Sequence, residues 1–418
     1  MQRHYCGLDF GTSNSTVGLA IGNGFELCPL EGDSVTLPSA IFFDYEDHKV
    51  RFGRDGITAY IEATEGRLMR ALKSVLGSSL IDDTTLIQRK RVAMRDVIGM
   101  FMRHLKQLAE RKLGGTVEHV VLGRPVRFVD DDDAADQRAE AELIGIARAQ
   151  GFVHVEMQFE PVAAALAYEQ SLQREELALI VDLGGGTSDF AVARLSPDGA
   201  RRHDRSQDIL GRSGVHIGGT DFDRRLSINH VMPFLGYDAL IGPKKLPMPS
   251  HLFHDLATWH RIPTLYTPQN INYLRSILSQ VDQPALVERL IRVFIERQGH
   301  RIAAEVEAAK IALSESPEVS LHIPLTPPVD TVLHQGDLDH AVYDDAVRIV
   351  RAIDLCFAAA GVKGADIQSV FLTGGSTAVP EIRRQILAHL PNALPVTGDL
   401  FGSVGLGLAM DAARKFGG

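Results

Sequence analysis

The feature of this sequence that most restricts its fold is an internal repeat. Asp9-Phe10-Gly11-Thr12-Ser13-Asn14 and Asp182-Leu183-Gly184-Gly185-Gly186-Thr187-Ser188-Asp189 are two versions of one pattern. Each follows an apolar run (Tyr5 to Leu8; Leu177 to Val181) and precedes another (Val17 to Ile21; Phe190 to Val192), which reads as strand, glycine-rich turn, strand. Two related halves are therefore expected.

The stretches between the turns fit this reading. Val117 to Leu122 is a strand-like run, and Asp136 to Gln150 is a helix with Leu143, Ile146 and Ala147 at helical spacing before Gly151. Glu160-Pro161 opens an Ala-rich helix, Val162 to Leu172. Alternation of strands and helices in both halves predicts an α/β class with two similar lobes. Asn272 to Ser316 reads as helical hairpin material followed by a strand-like Val319 to Pro324, while Pro- and His-rich Leu240 to Pro268 lacks periodicity and reads as an insertion or irregular surface.

At 418 residues the chain is too long for one core. A formal net charge of -10 without a long Lys/Arg block disfavours nucleic acid and anionic membrane as partners. Met1 to Phe10 lacks the cationic start and apolar centre of a signal peptide, and no apolar run reaches the roughly 18 residues of a membrane span, so a cytoplasmic protein is expected. Cys6, Cys28 and Cys356 are scattered without metal-ligand spacing and read as small core residues.

The two turns carry the chemistry. A triphosphate needs backbone N–H groups aimed into a concavity, hydroxyl donors and a cation, and glycine supplies close approach. Thr12, Ser13 and Thr187 are the candidate hydroxyls. Asp9, Glu160, Asp182 and Asp189 fall at strand ends or in turns, and carboxylates beside phosphates repel unless a divalent cation intervenes. Magnesium held through its waters by these carboxylates fits that need. The plain alternative, glycine-rich turns that merely build hairpins, is harder to hold for two such turns than for one.

Gly7 to Ser15 resembles the first phosphate signature of the seventy-kilodalton heat-shock, DnaK-type, chaperones, and Asp182 to Asp189 resembles the second. Glu160 to Tyr168 is similar to that family's first connecting helix, Gly218-Gly219-Thr220-Asp221-Phe222-Asp223 to a turn of its second lobe, Phe371 to Thr377 to its adenosine motif, and Val404 to Ala409 to its final connecting helix. The resemblance implies a duplicated actin-like, ribonuclease H-like ATPase fold with a nucleotide cleft between lobes: 1–177 as lobe I with a small subdomain near 39–115, and 178–418 as lobe II with a small subdomain near 223–315 and a last helix near 402–416 packed back on lobe I. It further implies ATP or ADP with magnesium as ligands, and a protein partner or client whose affinity follows the nucleotide state. Asp182, Glu160, Thr187 and Asp9 become the catalytic set. Gly11, Thr12, Ser13, Asn14, Gly184, Gly185, Gly186 and Thr187 become phosphate contacts, and Gly218, Gly219, Gly374, Gly375 and Ser376 further nucleotide contacts. Glu307, Lys310 and Ser314, on one helical face, match the ribose and adenine contacts. Pro125 and Arg138 resemble residues that couple the nucleotide to partner docking.

Several positions depart from that pattern. The place of the family's catalytic lysine falls at Ile57 or a neighbour, with Lys73 matching a different position on the following helix, so hydrolysis is expected to be slow or absent. Ile311 and Ala378 stand where two arginines clamp the base, and Phe401 where an Asp lies near the adenosine. The sequence stops after the last connecting helix, as in the shorter YegD-type branch of the family. Two other readings stay open: a nucleotide sensor that does not hydrolyse, and a sugar-type kinase in which Asp221 acts as general base. The acidic run Asp130 to Asp133 reads as a solvated loop before a helix. His251, His254 and His260 lack zinc-ligand spacing.

Overall fold

The computed structural model describes residues 4–22, 24–62, 64–88, 90–129, 132–199, 202, 204–396 and 402–417. Phe401, Asp130 and Asp131 lie outside them. Contacts divide the chain into two compact units, Met1–His216 with Arg351–Thr377 and His389–Gly418, and Ile217–Val350 with Ala378–Ala388.

The first unit is built on two large sheets, beside a three-stranded sheet (Ala40–Asp44, Lys49–Phe52, Gly66–Arg70) and the pair Thr84–Ile87/Lys90–Ala93; Thr36–Pro38 adds a sixth strand to the first large sheet. That first large sheet contains β1 (Tyr5–Phe10), β2 (Asn14–Ile21), β3 (Gly24–Leu27), β4 (His119–Arg124) and β5 (His154–Phe159); the second contains β6 (Glu176–Leu183), β7 (Ser188–Leu195), β8 (Ile209–Val215), β9 (Ser369–Thr373) and β10 (Leu394–Val396). The orders are β3-β2-β1-β4-β5 and β8-β7-β6-β9-β10. In each, the central strand pairs antiparallel with its hairpin neighbour and parallel with a strand reached by a long crossover: β1 with β2 and β4, β6 with β7 and β9. The sequence repeat is thus a repeat of fold. Strands such as β6, reading Glu-Leu-Ala-Leu-Ile-Val-Asp-Leu, are near-continuously apolar and buried through most of their length, as a central strand paired on both edges requires.

Three helices of this unit matter for the site: α1 (Asp133–Ala149), capped by the Asp132 side chain on the Ala135 N–H, α2 (Glu160–Glu169), and α3 (Ser403–Phe416). The last packs against β1, β2, β4 and α2. The approach is so close that a Cβ at Gly407 would run into the Ala163 carbonyl oxygen, so only glycine fits there. All three cysteines are free and buried.

In the second unit, helix Gly219–His230 packs on helix Gly299–Leu313, with the hairpin Glu318–Ile323/Val329–His334 following. The stretch 240–268 corrects the expectation of an irregular surface. It forms a short strand pair, Leu240–Ile241 with Leu246–Pro247, then helix Ser250–Leu256, and buries Leu252, Phe253, Leu256, Ile262 and Leu265. Its helix is too short for a periodic signal, and its prolines start turns within a packed element.

Candidate functional site

The first turn links the ends of β1 and β2. A Cβ on Gly11 would collide with the Asn14 carbonyl oxygen, so the chain can close this tightly only with glycine. Ser39 clasps the turn from outside: its hydroxyl donates to the Gly11 carbonyl at 2.6 Å and its N–H to the Ser13 carbonyl at 2.8 Å. Thr12, Ser13 and Asn14 are left half-buried on the inner side.

The second turn closes through the Gly184 N–H on the Thr187 carbonyl at 2.9 Å. The two turns meet directly, the Gly185 N–H donating to the Ser13 hydroxyl oxygen at 3.0 Å. The third glycine motif joins them. Ser376 donates its hydroxyl to the Gly184 carbonyl at 3.0 Å, and Gly374 adopts φ +79°, where a Cβ would strike the Leu183 carbonyl. Segments far apart in the chain are thereby tied together through backbone and hydroxyl groups.

Beside the turns the acids gather. Asp9 is the next-to-last residue of β1 as Asp182 is of β6, and Asp189 lies opposite Asp182 in the β6–β7 register. Glu160, the first residue of α2, is buried against Gly123 and Leu408. Glu160, Asp182 and Asp189 line one cavity of about 380 Å³ together with Pro125, Pro161 and Arg212.

Lys73 corrects the sequence reading of the cation. Its Nζ donates to Glu160 Oε1 at 2.5 Å, with both side chains largely buried, and its charge acts on Asp9 and Asp182. Ile57, to which the spacing pointed, sits instead on helix Gly53–Ile61. Lys73 reaches the acids because Ala71 takes the left-handed conformation at φ 55° and starts the tight turn Leu72–Val75, which swings the side chain inward. Turn geometry of this kind belongs to no motif. The sequence signal was a lysine enclosed by Ala71, Leu72, Val75 and Leu76, a polar exception in a segment otherwise built for burial.

Burial, then the charge of Glu160, pushes the Asp182 carboxyl up to about 6, with Lys73 and a hydrogen bond from Thr373 opposing. Asp9 moves the same way, burial being the largest cause and Glu160 the next. Three clustered carboxylates facing one lysine leave negative charge uncompensated, which is the environment that a hydrated cation fits. Among the described residues no group of three His, Cys, Asp or Glu is disposed to ligate a metal directly.

The other predicted contacts belong to the second unit. Lys310 is buried, pairs with Asp223 at 2.7 Å and donates to the Gly219 carbonyl at 3.2 Å. Glu307 and Ser314 flank it, half-buried on the same helix, where Ile311 is 57% exposed. Asp221 accepts from the Gly218 N–H at 3.1 Å and pairs with Arg224 at 3.2 Å.

A family model described as Hsp70 protein matches residues 81–239 and 295–413. A chaperone protein HscA homolog of Actinobacillus pleuropneumoniae serotype 5b is 26% identical over 407 residues, covering 91% of this chain and 53% of its own length. A chaperone protein DnaK of Thermosipho melanesiensis is 25% identical over 424 residues, covering 99% and 59%. The chain thus spans a little over half the length of these relatives.

Proposed function

The chain belongs to the Hsp70 protein family, and from that premise we propose that it binds ATP with magnesium, cleaves it to ADP and phosphate, and changes its affinity for a protein partner with nucleotide state. The observation that carries this reading is the Lys73–Glu160 pair set against Asp9 and Asp182 beneath two glycine turns joined through Ser13.

In this reading the Gly186 N–H and the hydroxyls of Thr12, Ser13 and Thr187 hold the β and γ phosphates, the Gly185 N–H turns to them from Ser13, and the Gly184 N–H keeps its turn closed on the Thr187 carbonyl. Asp9, Asp182 and Asp189 would hold magnesium through its waters, and the ion would supply positive charge beside the phosphate oxygens. Glu160 and Asp182 orient a water and accept its proton. Lys73 stabilises the negative charge that develops on the transferred phosphoryl oxygens, a contribution of about 10²–10³ in rate by analogy with one oxyanion-hole donor. Glu307, Lys310 and Ser314 contact ribose and base. The absence of arginine at 311 and 378 predicts weak discrimination among purine bases. A kinase role for Asp221 is disfavoured, because its carboxylate already caps its own helix and pairs with Arg224.

Titration calorimetry tests the binding step. ATP and ADP should bind in magnesium buffer and weaken at least tenfold with excess EDTA; no heat with either nucleotide would overturn the proposal.

A further inference from the structure

Arg124, the last residue of β4, carries no assigned role, yet it is heavily engaged beside the site. Its side chain is 12% exposed. Nη2 donates to Asp136 Oδ2 at 2.9 Å, Nη1 donates to Glu140, and Nε donates to the Pro125 carbonyl at 3.1 Å. The guanidinium also lies over two rings, 5.4 Å from the centroid of Phe128 and 5.1 Å from that of Phe159.

Phe159 is what connects this cluster to the chemistry. It pairs with Arg124 in the β4–β5 register and immediately precedes Glu160. As the N-cap of α2 it supplies no side-chain hydrogen bond to the helix, so the first turn of α2 is aimed by how the Phe159 ring is packed and not by a cap. Gly123, next to Arg124, is the surface on which the Glu160 side chain rests, its Cβ position lying 3.1 Å from Glu160 Cγ. One guanidinium therefore ties α1 and the Pro125 turn to the residue that points Glu160 at Lys73.

We propose that Arg124 is a positioning residue that holds Glu160 against Lys73. Its bearing on turnover rests on the ATPase reading above; its bearing on the Glu160–Lys73 pair does not. A guanidinium is needed because a planar fork can serve two carboxylates while its faces stack on rings, which an ammonium cannot do. Small displacements of a group that orients a nucleophile have large effects on rate.

The test uses Arg124→Lys and, because Arg124→Val alone strands Asp136 and Glu140, the triple variant Arg124→Val/Asp136→Asn/Glu140→Gln. The amide oxygen that the triple variant places at position 136 can still accept from the Phe128 N–H, as the Asp136 carboxylate does. Two readouts are taken on folded protein. The first is acetylation of Lys73 by a limiting amine-reactive acetate ester, quantified by peptide mass spectrometry relative to Lys106, a buried lysine paired with Glu110 elsewhere in the same unit. The second is kcat and KM for ATP. Both variants are expected to show at least threefold more Lys73 labelling and about tenfold lower kcat with KM within twofold, and Arg124→Lys should keep thermal stability near that of the wild type without keeping its kcat. If the triple variant fails to fold, Arg124→Lys is read alone. Labelling equal to wild type in a folded variant overturns the proposal whatever the kinetics, and so does raised labelling with unchanged kcat. A wild-type protein without turnover would sink the ATPase reading instead, and labelling alone would then decide whether Arg124 holds the pair.

Discussion

Asp182 is raised to about 6 chiefly by burial, which penalises its charged form. The sign of the stability effect follows. Between the ordinary carboxylate range and about 6 the folded chain binds more protons than the unfolded one, so stability falls as pH rises through that window and stays lower above it, by about 3 kcal/mol in the absence of ligand. Asp182→Asn should flatten this slope and raise the unliganded melting temperature at pH 7.5, readable by calorimetric scans from pH 4 to 8; a wild-type stability that climbs through the window would contradict the burial argument. Lys73→Ala should lower single-turnover cleavage about 10²–10³-fold with nucleotide affinity changed far less, and a loss below fivefold would remove Lys73 from the chemistry. At this scale legibility was uneven. Asp9 and Asp182 could be read because the turns that carry them are local signatures, whereas Lys73 arrives through a left-handed residue and a single tight turn whose geometry no sequence period encodes.

Helix α3 shows what an element adds. Gly405 and Gly407 of the helix, with Gly7 of β1 and Gly18 of β2, let it lie on β1, β2 and α2 at backbone contact distance, and Gly407 faces Ala163 about one turn beyond Glu160. Gly407→Val should destabilise the protein by several kcal/mol, about 3 or more given that the obstruction is backbone, and should lower kcat in whatever folds, because α2 shifts; urea unfolding and steady-state rates measure both. An unchanged midpoint would mean that the helix seats elsewhere. The helices Asp133–Ala149 and Glu160–Glu169 were legible from spacing, Pro161 and Gly151 within a few residues of their ends. The stretch 240–268 was not, since its apolar residues Leu252, Phe253 and Leu256 fill a helix of 7 residues, shorter than the roughly 11 over which a helical period can be read.

For the whole molecule, the repeated turn foretold a repeated sheet: five strands follow the same order in both, and the first sheet adds Thr36–Pro38 on β2. The second sheet draws β9 and β10 from the last quarter of the chain, where the apolar run Phe371–Leu372 before Gly374-Gly375 is their trace in the sequence. A net charge of -10 also sets a condition on function, since a strongly anionic chain must hold a polyanion through local backbone donors and Lys73. The proposed function requires that this arrangement cleave ATP, and release of inorganic phosphate from magnesium ATP by the purified chain, beside Lys73→Ala and Asp182→Asn, decides it. Release by the wild type that both substitutions suppress about a hundredfold or more is the predicted result; tight ATP binding without release, or release equal in all three proteins, would contradict it.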